Sequence, residues 1–120
     1  MSEYHRLTVK KVGDVTVARF RDWRIEEANV KEVERELFQL VESDGCDKLL
    51  LNFAAVDFLS SAGLGRLLAL EKKAKQHECT VKISDVGQPI QQIFQITKLN
   101  RLFEIQETET DALASFRDSA

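Results

Sequence analysis

A chain of 120 residues with 43% hydrophobic content is sized for one folded domain and can bury roughly two-thirds of its unfolded surface, which excludes a disordered class. Its net charge of -3, from 20 acidic and 17 basic residues, lacks the basic excess of a nucleic-acid binder. No apolar run approaches the ~20 residues of a membrane span, and the polar start Met1–Arg6 holds no apolar signal core, so a cytoplasmic location is expected.

Leu7–Val12 and Val15–Phe20 are apolar-alternating runs around Gly13-Asp14 and predict a β-hairpin. From Glu26 the period lengthens. Val30, Val33, Leu37, Leu40 and Val41 recur at helical spacing, with Glu and Lys between them as a solvated face, and Gly45 supplies a stop. Leu49–Phe53 is a short apolar run suited to a central strand buried on both faces. A second helix is expected from Ser61, with Leu64, Leu67, Leu68 and Ala74 inward and Glu71 paired outward with Lys75. Cys79–Ser84 returns to strand. Gly87-Gln88-Pro89 opens a short helix that packs through Ile90, Ile93, Phe94 and Leu99. Phe103–Gln106 reads as the last strand, and Thr108-Glu109-Thr110-Asp111 as a capping box opening a helix through Ala112, Leu113 and Phe116. The order β-β-α-β-α-β-α-β-α predicts a single α/β domain: a mixed, mostly parallel sheet with four helices. In such folds the loops leaving the strand C-termini carry function, and Ser60-Ser61 lies in one of them.

Read as residues, the serine pair has two meanings. It can cap the following helix, a contribution of about 1 kcal/mol, or it can present a hydroxyl for modification at a helix N-terminus, where added negative charge is tolerated. Gly63 and Gly65 sacrifice helix propensity. They serve either close approach of another protein or tight packing of helix on sheet, and composition leaves these level. An enzyme is not expected. There is no G-x-S-x-G elbow, no Walker-type G-K-[ST], no third glycine of a dinucleotide fingerprint, and only His5 and His77 to serve a catalytic triad. The same inventory offers no metal site and no cofactor. Cys46 and Cys79 are expected as reduced thiols, with a disulfide as the other option. Trp23, after the hairpin, is expected as a lid on the core before a binding hot spot, though aromatics are enriched in interfaces.

With those residues placed, the sequence resembles the STAS domain family, and within it the bacterial anti-sigma factor antagonists. The resemblance rests on the element order, on Leu50-Leu51-Asn52-Phe53 followed by Val56-Asp57-Phe58-Leu59, on Ser60-Ser61-Ala62-Gly63-Leu64-Gly65, and on Leu99–Ile105. It implies that Ser61 is the phosphoacceptor, with Ser60 a second candidate. Ser60 stands where the family often has Asp, and Ala62 replaces a second hydroxyl residue. The family's Gly-x-Leu-Asp turn is poorly matched by Asp22–Glu26, where Glu26 is the residue that can fill the acidic role. The partner-binding set implied is Glu26, Ser60, Ser61, Ala62, Gly63, Gly65 and Arg66. The partners implied are an anti-sigma factor that is also a serine kinase, and a separate serine phosphatase. A non-phosphorylated binding module of the same fold, in a signalling or transport complex, is the alternative reading, and a small enzyme using the same loop a third. A monomer is expected.

Overall fold

Alternation and period translate directly into the elements of the computed structural model, which describes residues 4–118; Met1–Glu3 of the polar start lie outside it. The hairpin forms from β1 (Leu7–Val12) and β2 (Val15–Phe20), with Leu7 opposite Phe20 and Val12 opposite Val15. Gly13 adopts φ +62°, the left-handed conformation such a two-residue turn requires. A two-residue strand, β3 (Arg24–Ile25), precedes helix α1 (Val30–Glu42). Then follow β4 (Lys48–Asn52), a second two-residue strand β5 (Phe58–Leu59), α2 (Ser61–Gln76), β6 (Thr80–Ser84), α3 (Gln88–Thr97), a single 3-10 turn at Leu99–Arg101, β7 (Glu104–Gln106) and α4 (Glu109–Asp118). The expected order is present, and the two short strands are additions to it.

Five strands form one sheet in the order β1-β2-β4-β6-β7, antiparallel in the hairpin and parallel elsewhere. The chain moves in one direction across this sheet from β2 to β7. Right-handed crossovers therefore deliver α1, α2 and α3 to one face. Helix α4 follows the last strand and covers the opposite face, against β4, β6 and β7. The central strand serves both layers: Leu49 and Leu51 join the core beneath α1–α3, while Leu50 packs with Val15, Val17, Ala112 and Phe116 beneath α4. All three leucines are fully buried, as expected for a strand covered on both faces. No helix among the described residues is long and apolar enough to cross a membrane.

Two charged side chains among the described residues sit deep in this frame. Glu36, on the face of α1 expected to be solvated, is 2% exposed, and its carboxylate accepts the backbone N–H groups of His5 and Arg6 at 3.0–3.1 Å. The chain entering β1 has no strand on that side to satisfy those donors, so a helix carboxylate does it. Lys82 of β6 is buried under α4, where its ammonium meets Glu104 at 3.3 Å, hydrogen-bonds Ser115 and lies 4.6 Å from the Phe116 ring centroid. Hydrogen bonds from Ser115 and Gln106, with the Lys82 charge, hold the Glu104 carboxyl below its usual range. At the start of α4, burial opposes the charge of Glu109. Hydrogen bonds from Asn52 (2.9 Å) and Arg19 (3.0 Å) and the nearby Lys10 outweigh it, so this carboxyl too is held low. Thr108 caps α4 by accepting the Asp111 N–H at 3.0 Å.

Candidate functional site

The chain leaves β4 at Asn52 and turns at once. Asn52 Oδ1 accepts the Ala54 N–H at 2.8 Å, and Phe53 is fully buried between Phe20 and Phe94, at centroid distances of 4.7 and 5.7 Å. The segment is then caught by the short strand pair: Arg24 lies beside Phe58 and Ile25 beside Leu59. The Trp23 carbonyl accepts from the N–H groups of Asp57 (2.8 Å) and Phe58 (3.1 Å), and the Ile25 carbonyl accepts from Ser60 at 2.9 Å. These bonds deliver the serine pair to the first turn of α2 in a fixed orientation.

Ser60 and Ser61 divide the two meanings between them. Ser60 is the N-cap: its backbone is extended (φ -77°, ψ 170°), and its Oγ accepts the Gly63 N–H at 3.2 Å. Ser61 is the first helical residue and is exposed. Among the described residues no histidine or carboxylate hydrogen-bonds either hydroxyl. The pair lies at the positive end of the helix dipole.

The glycines divide in the same way. Gly63 is buried, and a Cβ there would stand 2.6 Å from Leu59 Cδ1, 3.2 Å from Ile25 Cγ2 and 3.4 Å from the Ile25 carbonyl oxygen. It is present for packing of α2 against the strand pair. A Cβ on Gly65 would meet nothing within 4 Å, so this glycine leaves open surface beside Ser61. Ala62 is half-buried against the core. Helix α2 packs inward through Leu67, Leu70 and Ala74. Leu68, expected on the inner face, is 43% exposed, because the 100° step from Leu67 turns it outward.

The remaining implied residues are held by neighbours. Glu26 leaves the strand pair alongside Ser60, but its carboxylate pairs with the Arg24 guanidinium at 3.1 and 3.2 Å. Its N–H donates to Asn29 Oδ1 at 3.0 Å, which fixes the entry to α1. Arg66 reaches across to Glu34 of α1 at 3.1 Å.

Sequence reasoning missed an aromatic patch. Trp23 is 56% exposed rather than a core lid, and Phe58 is 39% exposed. The Arg24 guanidinium stacks between them, 5.1 Å from the Trp23 ring centroid and 4.4 Å from that of Phe58. The Trp23 backbone is held by its bonds to Asp57 and Phe58 while its ring projects outward. A large apolar side chain kept in solvent on a fixed backbone is a feature of contact surfaces. The sequence signal was the Trp-Arg pair in a loop, which carries no period to say which way a ring points.

A small α/β domain with a mixed five-stranded sheet, three helices on one face, one on the other, and a serine pair opening α2 is the class defined by this geometry. The family model described as STAS domain matches residues 6–112, and the chain belongs to that family. BtrV of Bordetella bronchiseptica, which carries the provisional name of an anti-sigma factor antagonist, is 24% identical over 112 residues, covering 93% of this chain and 95% of that one. The crystal structure of an anti-sigma factor antagonist from Mycobacterium paratuberculosis superposes with a TM-score of 0.81 at 24% identity, over 92% of each chain. The Bacillus protein SpoIIAA superposes in its unphosphorylated form with a TM-score of 0.78 at 16% identity, over 93% of this chain and 96% of that one. Its phosphorylated form gives 0.70 at 15%, over 92% and 98%. These likenesses establish the fold.

Proposed function

We propose that this STAS domain is a partner-switching regulator of the anti-sigma factor antagonist type, with Ser61 its phosphoacceptor. One observation carries the reading: Ser60 alone performs the cap, so the Ser61 hydroxyl is exposed and free of structural duty. The unmodified domain binds an anti-sigma factor over a surface that includes Ser61, Gly65, Trp23 and Phe58. That partner, a serine kinase, transfers a phosphoryl group from its own nucleotide to Ser61 Oγ, and a phosphatase removes it. The phosphate adds about two negative charges in the centre of the contact. Left unpaired there it costs several kcal/mol, enough to weaken binding by roughly 100-fold or more.

The test is incubation with a cognate kinase and ATP, phosphosite mapping, and affinity measurement on Ser61→Asp and Ser61→Ala. The expected result is phosphate on Ser61, binding retained by Ser61→Ala and lost by Ser61→Asp. Absence of phosphate on both Ser61 and Ser60, together with equal binding by both variants, sinks the proposal. A second reading, a binding module that is never phosphorylated, is favoured by the engagement of Glu26 with Arg24 and of Arg66 with Glu34, which leaves those charged groups beside the pair already partnered. It predicts a stable complex indifferent to Ser61→Asp.

A further inference from the structure

The far end of α2 carries chemistry that the serine site does not use. Cys46 follows the Gly45 turn (φ +64°) after α1, and Cys79 follows Glu78 (φ +55°) just past the end of α2. Parallel pairing of β4 with β6 begins immediately behind them: the Thr80 N–H donates to the Asp47 carbonyl at 2.9 Å, and Lys48 lies opposite Thr80. That pairing brings together two residues separated by 33 positions. Both thiols are free, both are buried, and their sulfurs are 4.0 Å apart. A disulfide brings sulfurs to about 2.05 Å, so side-chain rotation has about 2 Å to close. A surface pocket of about 240 Å³, lined by Ala74, Cys79, Val81, Leu102 and Phe103 among others, gives small molecules a route to Cys79.

We propose that Cys46 and Cys79 form a reversible dithiol–disulfide site that is oxidised by hydroperoxides. Either sulfur can donate in this contact, so either thiol can reach the thiolate form beside the other. The thiolate of one cysteine of the pair attacks one peroxide oxygen and becomes a sulfenic acid, and the peroxide's other oxygen leaves as hydroxide or alkoxide and takes up a proton. The sulfur of the other cysteine then attacks the oxidised sulfur. The S–O bond breaks, the S–S bond forms, and water departs with the second thiol's proton. Two thiols are oxidised by two electrons in all and one hydroperoxide is reduced; thiol exchange reverses the step. The bridge closes a loop that contains β4, β5 and the whole of α2, including Ser61. It lies about 24 Å from Ser61 along a 16-residue helix, so it bears on the stability of the domain rather than on contacts at the serines.

The experiment treats the native, reduced protein with hydrogen peroxide, quenches with an alkylating agent under denaturing conditions, and maps peptides alongside thermal melts. The expected result is an intrachain Cys46–Cys79 peptide with both residues protected from alkylation. The midpoint should rise on the order of 10 °C, reversed by dithiothreitol, because closing a loop of this length restricts the unfolded chain. Cys46→Ser and Cys79→Ser should show no such rise. Both thiols still alkylated, a link between two chains, or sulfinic and sulfonic products in place of the intrachain link would overturn it. None of these results depends on phosphorylation of Ser61.

Discussion

Replacing Gly63 with alanine tests whether α2 is seated by contact with the strand pair. The added methyl would lie 2.6 Å from Leu59 Cδ1 and 3.2 Å from Ile25 Cγ2. Leu59 and Ile25 are 4% and 3% exposed, so neither side chain can swing into solvent to make room. Overpacking of this kind costs about 1–3 kcal/mol, and the better helix propensity of alanine returns about 1 kcal/mol. The balance is a loss of about 1 kcal/mol, or about 4 °C in Tm for a domain of this size. Gly65→Ala meets nothing within 4 Å and keeps only the propensity gain, so it should stabilise by about 0.5–1 kcal/mol. Urea and thermal unfolding followed by circular dichroism measure both. In a Leu59→Ala background the clash partner is gone, and the penalty of Gly63→Ala should shrink by about 1 kcal/mol. Equal stability changes for the two glycine variants, or an unchanged penalty in the Leu59→Ala background, would refute the packing role assigned to Gly63.

Trp23→Ala and Phe58→Ala should each weaken binding to the proposed anti-sigma partner by about 30-fold, as expected for aromatic anchors, while Tm stays within a few degrees for Trp23; titration calorimetry measures this. Ser60→Ala should cost about 1 kcal/mol by leaving the Gly63 N–H unpaired, whereas Ser60→Asp, an equally good cap, should cost only a few tenths; chemical denaturation separates them. Glu104 and Glu109 titrate below their ordinary 4.5 in the folded protein, so their ionised forms stabilise the α4 side. That contribution is complete above the ordinary value and is lost as pH falls through the lower folded values. Stability in denaturant should therefore drop below about pH 4.5, and the drop should be shallower in Glu109→Gln; parallel pH profiles of the two proteins would count against the assignment.

The main sheet and all four helices were legible because each has enough residues to show a period. Val15 and Val17 face one way and Ala18 and Phe20 the other, and Val30, Val33, Leu37 and Leu40 return every three or four positions. Two residues cannot show a period, so β3 and β5 were invisible. They exist because the Trp23 and Ile25 carbonyls meet the N–H groups of residues 57, 58 and 60, a long-range event. Glu36 was misread for a related reason. A carboxylate on a helix looks solvated in sequence, and its partners here are backbone amides some 30 residues upstream. The serine pair was legible as a place, but its division was not: which hydroxyl reaches the Gly63 N–H depends on backbone angles at Ser60 that the strand pair imposes. The approach of Cys46 to Cys79 depends in the same way on the β4–β6 register.

That division has a mechanical consequence for the proposed switch at Ser61. If one serine both capped the helix and accepted phosphate, modification would remove a cap worth about 1 kcal/mol and disturb the first turn. With Ser60 holding the Gly63 N–H, the first turn stays pinned while Ser61 changes charge. A phosphate there is favoured by the helix dipole by about 0.3–1 kcal/mol, so the modified domain is no less folded than the unmodified one. A partner that tells the two states apart must then read charge, not shape. The discriminating energy comes from what the partner can or cannot pair with the phosphate once water is excluded. This favours a contact in which Trp23 and Phe58 seal one side and the open ground at Gly65 admits the partner's backbone on the other. In that arrangement the affinity would come from surfaces that the proposed phosphorylation leaves untouched, and the switching from a single oxygen on Ser61.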